Sequence, residues 1–197
     1  MQIMIILALR NTISIMGLIL ALPLLAIISF FIYLEDGWPI FFKQKRLGIN
    51  KEEFMIFKIR TMKKNTPELG THDVDKSFQL RLGKVIRAIK LDELPQLINV
   101  LKGDINLVGP RPGLVTQDDL QKERYKRNIF IVKPGITGLA QILGYDMSDP
   151  AKLAEIDRIY IDNQTIHLNT LILLGTFISS FRDKISMKLG IEIRERR

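Results

Sequence analysis

From Asn11 to Leu34 the chain carries no charged side chain, and nothing else in the sequence limits its fold so strongly. A run of that length can span the apolar core of a bilayer, which takes about 20 helical residues. Two features argue against a plain span. Pro23 stands near the middle, where it removes a hydrogen bond and kinks or breaks a helix. Each arm is then about eleven residues, roughly 15 Å of helix and about half the apolar thickness. Basic residues also flank both ends, Arg10 before the run and Lys43, Lys45 and Arg46 after it. Cytoplasmic flanks tend to be basic, so both ends fit the cytoplasmic side. The sequence predicts a re-entrant membrane helix over 1–36 with its membrane break at Pro23. A kinked helix that crosses satisfies the same pattern, because prolines are tolerated in spanning helices. No clear small-x-small cleavage site marks a signal peptide.

The remainder, 37–197, is long enough for one cytoplasmic, interface-associated domain with its own core. The expected fold class is mainly α with a few short strands: the membrane helix plus a compact α/β domain carrying amphipathic interfacial helices. Lysine and arginine number 29 against 21 acidic residues, a net charge of +8. That balance suits an anionic membrane face or phosphorylated ligands. No RNA-binding aromatic motif or zinc-finger pattern is present, so nucleic acid ranks last. The absence of cysteine excludes disulfides and thiol catalysis.

Leu91–Pro112, LDELPQLINVLKGDINLVGPRP, holds the densest chemistry. Asp92 and Glu93 are adjacent carboxylates. Leu94, Leu97, Ile98 and Leu101 follow at the spacing of one helix face. Lys102-Gly103 reads as a basic last turn and a stop. Asp92 reads as an N-cap, with Pro95 tolerated in the first turn. That places both carboxylates at a helix start, where free N–H groups and the macrodipole suit an anion or a bound cation. The plain alternative is a cap and a dipole-friendly neighbour. Gly109-Pro110-Arg111-Pro112 is a stiff loop around one guanidinium, well suited to phosphate.

Elsewhere, Ile40–Phe42 reads as a short strand or interfacial contact, and Trp38 suits a membrane interface. Phe54–Met62 reads as a basic strand edge with Lys58 and Arg60 on one side. Lys63–Ser77 is a polar loop holding His72, which has no partner at metal-ligand spacing. Leu82, Val85, Ile86 and Ile89 mark a helix whose other faces carry Arg81, Lys84, Arg87 and Lys90; Arg87 is the cation chosen to point at phosphate. Leu114–Asn128 reads as a charged, solvent-facing helix, and Val132–Gln141 as a glycine-bearing loop that permits close backbone approach. Pro150–Asp162 is a helix with Leu153, Ile156 and Tyr160 on one face. Ile166–Phe181 reads as an interfacial helix, with His167 interfacial or packed, and Gly190–Arg197 as a mobile basic tail.

Leu91–Pro112 closely resembles the signature of the bacterial sugar transferases, the monotopic phosphoglycosyl transferases, and the chain length resembles their small members, such as those that transfer phospho-bacillosamine. Gln44-Lys45-Arg46-Leu47-Gly48, Phe54–Met62 and the Pro-Gly-Ile-Thr-Gly of 134–138 are similar to further family blocks, and Asp157 with Tyr160 to a Tyr-Asp-x-x-Tyr region. The chain departs from the family in five places; one is the first membrane arm, which has only Asn11 and Ser14 where the family commonly carries an acidic residue. Leu22-Pro23 stands for Ser-Pro, Leu143-Gly144-Tyr145 for Asn-Gly-Arg, Ile156 for tyrosine, and Asn169 for aspartate.

The resemblance implies transfer of a sugar 1-phosphate from a UDP-sugar to undecaprenyl (polyprenol) phosphate through an aspartyl-phosphosugar intermediate. It implies Asp92 and Glu93 as the catalytic pair and as ligands of Mg2+. Arg111, Arg87 and Lys58 would bind phosphate, and Asp157 and Gln141 would face nucleotide or substrate. It also implies the cytoplasmic face and inner leaflet of a bacterial inner membrane, with downstream glycosyltransferases as partners. The rival reading is a non-catalytic membrane-surface scaffold or lipid-phosphate binder on the same shell.

Overall fold

The computed structural model describes residues 2–66 and 75–194; His72 lies outside them. The chain is mainly helical with short strands. In order it forms α1 (Gln2–Asp36), β1 (Phe41–Leu47), β2 (Glu53–Ile59), α2 (Arg81–Ala88), a 3-10 turn (Leu91–Gln96), α3 (Leu97–Lys102) and β3 (Asn106–Val108). Then come α4 (Asp118–Lys126), β4 (Gly135–Thr137), α5 (Leu139–Ile142), α6 (Pro150–Asp162), α7 (Ile166–Gly175) and α8 (Ser179–Leu189). Contacts divide it into two units. The first comprises residues up to Lys45 with Met55–Gly103, and the second Arg46–Phe54 with Asp104–Arg197. The β1–β2 hairpin has its base in the first and its tip in the second.

In the first unit, α1 runs unbroken through Pro23, where the sequence predicts a break. Proline removes one ladder bond, and the bonds on either side carry the helix past it. Over Leu7–Asp36 the helix is long and apolar enough to cross a membrane. Its two faces differ. Ser14, Ala21, Leu25, Ile28 and Ile32 recur at helical spacing and are buried. The last four join Ile40, Ile59, Leu80 and Ile86 in one core, against which Leu91 and Leu94 pack. Each Leu or Ile burial in it is worth about 1.5–3 kcal/mol. The hydroxyl of Ser14 satisfies itself on the carbonyl of Arg10 at 2.8 Å. At Gly17 a Cβ would stand 3.1 Å from Leu97 Cδ1, so a glycine lets α1 and α3 approach closely. The opposite face, Met16, Leu20, Leu24, Ile27, Phe31 and Leu34, is exposed and apolar.

The stripe that predicts α2 packs differently than expected. Ile86 is buried, whereas Leu82, Val85 and Ile89 are exposed. The packed face is set by Gly83, where a Cβ would meet the Thr61 carbonyl oxygen at 2.3 Å. Arg60 does not share a strand face with Lys58. β2 ends at Ile59, and the buried Arg60 turns to the end of α1, donating to the Asp36 carboxylate and to the carbonyls of Asp36, Gly37 and Pro39. It thereby satisfies acceptors that a helix terminus leaves without intrahelical donors.

In the second unit β3 and β4 pair in parallel, Asn106 with Gly135 and Val108 with Thr137. Around them α5, α6, α7 and α8 bury Leu139, Ile142, Leu153, Ile156, Ile172 and Ile185. The helix over Ile166–Gly175 buries Leu168, Leu171 and Ile172 in the core, while Ile166, His167 and Leu174 stay exposed, as does Phe177 just beyond it. Gly190–Arg194 is packed, contrary to the expected mobile tail. Ile191 is buried, the Arg194 N–H donates to the Leu143 carbonyl at 2.8 Å, and the Arg194 guanidinium lies 5.0 Å from the Tyr145 ring centroid.

Candidate active site

The candidate residues fall in two groups, one per unit. In the first, Lys90 adopts φ 59 and turns the chain out of α2. Lys90, not Asp92, stands at the N-cap of the following 3-10 turn, and no side chain caps it. Asp92 and Glu93 form its first turn. Short 3-10 pieces have poorer hydrogen-bond geometry than an α-helix, so alignment with a macrodipole contributes little here. Burial contributes more: Asp92 is only 8% exposed, with Pro95 and Gln96 buried after it. Gly103, at φ 83, ends α3 as the Lys102-Gly103 pair predicts.

Lys58 lies against the dyad. Its Nζ stands 3.5 Å from Glu93 Oε1, the two side chains being 15% and 11% exposed. Arg87 is fixed from its inner end, where its Nε donates to Thr61 Oγ1 at 2.6 Å. Sequence reasoning missed Asn99. It occupies the buried side of α3, where the expected stripe put Ile98, which is 39% exposed. A polar residue inside an apolar helix was the available signal.

The second group is built on backbone. The Gly109 N–H donates to the Thr137 carbonyl and the Gly135 N–H to the Pro110 carbonyl, both at 2.9 Å. The Leu47 N–H reaches the Gly113 carbonyl, and Arg46 Nη1 the Pro112 carbonyl at 3.2 Å. The loop carrying Arg111 is thus held on both sides, with Pro110 and Pro112 buried and Arg111 half-buried. Gln141, also half-buried, donates to the Ile136 carbonyl at 3.2 Å.

Asp157 is enclosed. Arg124 of α4 donates to its Oδ2 from Nε and Nη2, and neither side chain is more than 4% exposed. Burial pushes its carboxyl above the ordinary carboxylate range, opposed by the guanidinium. This geometry ties α4 to α6, and it overturns the reading of α4 as wholly solvent-facing. Asn169 accepts from the Tyr160 hydroxyl at 2.9 Å.

No cluster of three or more acidic, histidine or cysteine side chains suited to a metal occurs among the described residues. Asp92 and Glu93 are of the ligand type that magnesium takes, one or two carboxylates together with waters and substrate phosphates.

The profile described as bacterial sugar transferase matches residues 2–183. The chain is 43% identical, over 143 residues, to the uncharacterized sugar transferase EpsL of Bacillus subtilis, covering 73% of this chain and 70% of that protein. It is 40% identical to the UDP-N-acetylgalactosamine-undecaprenyl-phosphate N-acetylgalactosaminephosphotransferase of Aeromonas hydrophila, over 78% of this chain and 38% of that one. To the undecaprenyl-phosphate galactose phosphotransferase of Salmonella typhimurium it is 36% identical, over 83% and 37%. The chain therefore spans well under half the length of the two relatives named for a reaction.

Proposed function

The chain belongs to the bacterial sugar transferase family, and on that premise we propose that it transfers a sugar 1-phosphate from a UDP-sugar to undecaprenyl phosphate, releasing UMP. The observation that carries this reading is the pair Asp92–Glu93, largely withdrawn from water, with the Lys58 ammonium 3.5 Å from Glu93. The names of the Aeromonas and Salmonella relatives, both undecaprenyl-phosphate phosphotransferases, support the substrate classes.

An Asp92 carboxylate oxygen forms a bond to the phosphorus that bears the sugar. The bond from that phosphorus to the bridging oxygen breaks, and UMP leaves with the electron pair. An oxygen of the lipid phosphate then attacks the same phosphorus, which restores the Asp92 carboxylate and yields polyprenyl-diphosphate-sugar. Splitting one displacement into two is ordinary covalent catalysis. Asp92 has the shorter side chain and is held by burial, which favours it as nucleophile over Glu93. Magnesium, held by Asp92 and Glu93, would supply neutralisation of phosphate charge. Lys58 and Arg87, in the unit of the dyad, bind phosphate oxygens; in the other unit Arg111 offers phosphate a planar fork. Gln141 and the 134–138 loop frame the nucleotide. The exposed apolar face of α1 lies in the cytoplasmic leaflet of the inner membrane, where lipid phosphate is presented. Glycosyltransferases that extend the lipid-linked sugar are the partners this product requires.

The test is incubation with a panel of UDP-sugars and magnesium without lipid acceptor. About one equivalent of UMP should appear and the phosphosugar should remain on the protein by mass. Asp92→Asn should abolish both while the protein stays folded. UMP that appears only after lipid is added, with no adduct trapped, would establish direct displacement and remove Asp92 as nucleophile.

A further inference from the structure

We propose that Asn99 is a positioning residue for the carboxylate site: its side-chain amide fixes the register of β2 against the helical segment carrying the dyad, and so holds Lys58 at Glu93. This rests on the catalytic reading of Asp92 and Glu93 above.

Asn99 is fully buried, at 0% exposure, in the middle of α3. Its Nδ2 donates to the Met55 carbonyl at 2.7 Å, and its Oδ1 accepts the Phe57 N–H at 3.1 Å. Residues 55 and 57 alternate along β2, so these two groups face one edge of the strand. Among the described residues β2 has one neighbouring strand, β1. The amide supplies the pair of bonds that a second neighbour's peptide would make. A primary amide is the side chain suited to this, because it donates and accepts in one plane. A slip of β2 by one residue would reverse every side chain along it. The clamp forbids that slip one residue away from Lys58.

Lys58 follows Phe57 directly, and Glu93 lies in the 3-10 turn that runs straight into α3. The clamp and the Lys58–Glu93 contact are therefore two attachments between the same pair of elements, and the first sets the geometry of the second. A buried amide that served stability alone would make the same hydrogen bonds. The two roles separate by whether loss of Asn99 acts through Lys58.

The experiment is a double-mutant cycle on UMP release with Asn99→Ser, Lys58→Met and the pair. Asn99→Ser should slow release by about 10- to 100-fold, the effect of a misplacement near 1 Å. The pair should be no slower than Lys58→Met alone, because the second change finds nothing left to misplace. Losses that multiply would overturn the proposal. A second readout does not depend on turnover: acylation of Lys58 by a small amine-reactive reagent, followed by mass spectrometry. It should rise severalfold in Asn99→Ser while the exposed Lys84 is unchanged; unchanged Lys58 labelling in the folded variant overturns the clamp. Where Asn99→Ser does not fold, Asn99→Leu keeps the volume and drops both bonds, and is judged by the same criteria. Failure of the wild-type chain to release UMP from any UDP-sugar would sink the proposed reaction and leave the labelling result to decide the role of Asn99.

Discussion

Arg124 and Asp157 meet through two donors and one acceptor: Nε and Nη2 lie 3.0 and 2.7 Å from Oδ2, inside the second unit. Removing one partner strands the other charge without water. Asp157→Ala is expected to cost about 3–5 kcal/mol, read as a lower denaturant midpoint. The paired change Arg124→Met with Asp157→Leu should recover most of that. An Asp157→Ala protein as stable as its parent but inactive would place Asp157 on substrate instead.

Tyr160 gives an alkaline signature. Burial pushes its phenol from 10.0 to about 12, against smaller opposing effects of Gln164 and Asn169. A group whose folded value is raised contributes stability that is complete below the unfolded value and lost as pH rises through the folded one. Stability should therefore fall between pH 10 and about 12. Tyr160→Phe should flatten that slope and cost about 1 kcal/mol at neutral pH. An unchanged alkaline slope in Tyr160→Phe would exclude the phenol as its source.

Two glycines separate steric from conformational constraint. A Cβ at Gly135 would stand 2.1 Å from the Gly109 nitrogen, whereas one at Gly190 meets nothing within 4 Å despite φ +63. Gly190→Ala should cost only about 1–2 kcal/mol, the left-handed penalty. Gly135→Ala should cost more and dislodge the loop of Arg111, visible as loss of both melting temperature and UMP release. Equal, small effects at the two positions would contradict the close approach.

Arg111→Lys keeps the charge and loses the bidentate fork. With its loop held by the backbone of Leu47, Gly109 and Gly135, melting should be nearly unchanged while activity falls by about two orders of magnitude. A matching loss of stability would make the residue structural.

The placement of α1 is open to single cysteines, since the chain has none of its own. Met4 is exposed, as is Lys43. A helix packed along its own unit from Ser14 to Ile32 should keep both sites on the cytoplasmic side, so impermeant reagent outside should label neither. Labelling of one from outside would establish a crossing.

The sequence made some of this legible for local reasons. Pro150–Asp162 is a helix over those residues because Asp149 caps it through the Lys152 N–H and Pro150 begins it. Gly103 stops α3 because it takes a positive φ. What stayed hidden depends on distant partners. Arg124 looked like one charge in a solvated helix until Asp157, 33 residues on, enclosed it. The packed face of α2 is marked by Gly83, which has no side chain to register as apolar. Asp92 satisfied every local rule for an N-cap, yet the left-handed turn at Lys90 starts the segment earlier.

The packing of residues 190–194 on 143–149 joins two distant stretches into one patch. Tyr145 donates its hydroxyl to the Glu192 carbonyl, Arg194 covers its ring and reaches Asp149 at 3.3 Å, and Gly144 at φ +86 leaves only 2.1 Å between a would-be Cβ and the Arg194 carbonyl oxygen. A chimera that restored Asn-Gly-Arg at 143–145 alone would set a second guanidinium beside that of Arg194. The contacts couple the two segments, so a graft that changes both together is expected to keep more stability than one that changes either alone.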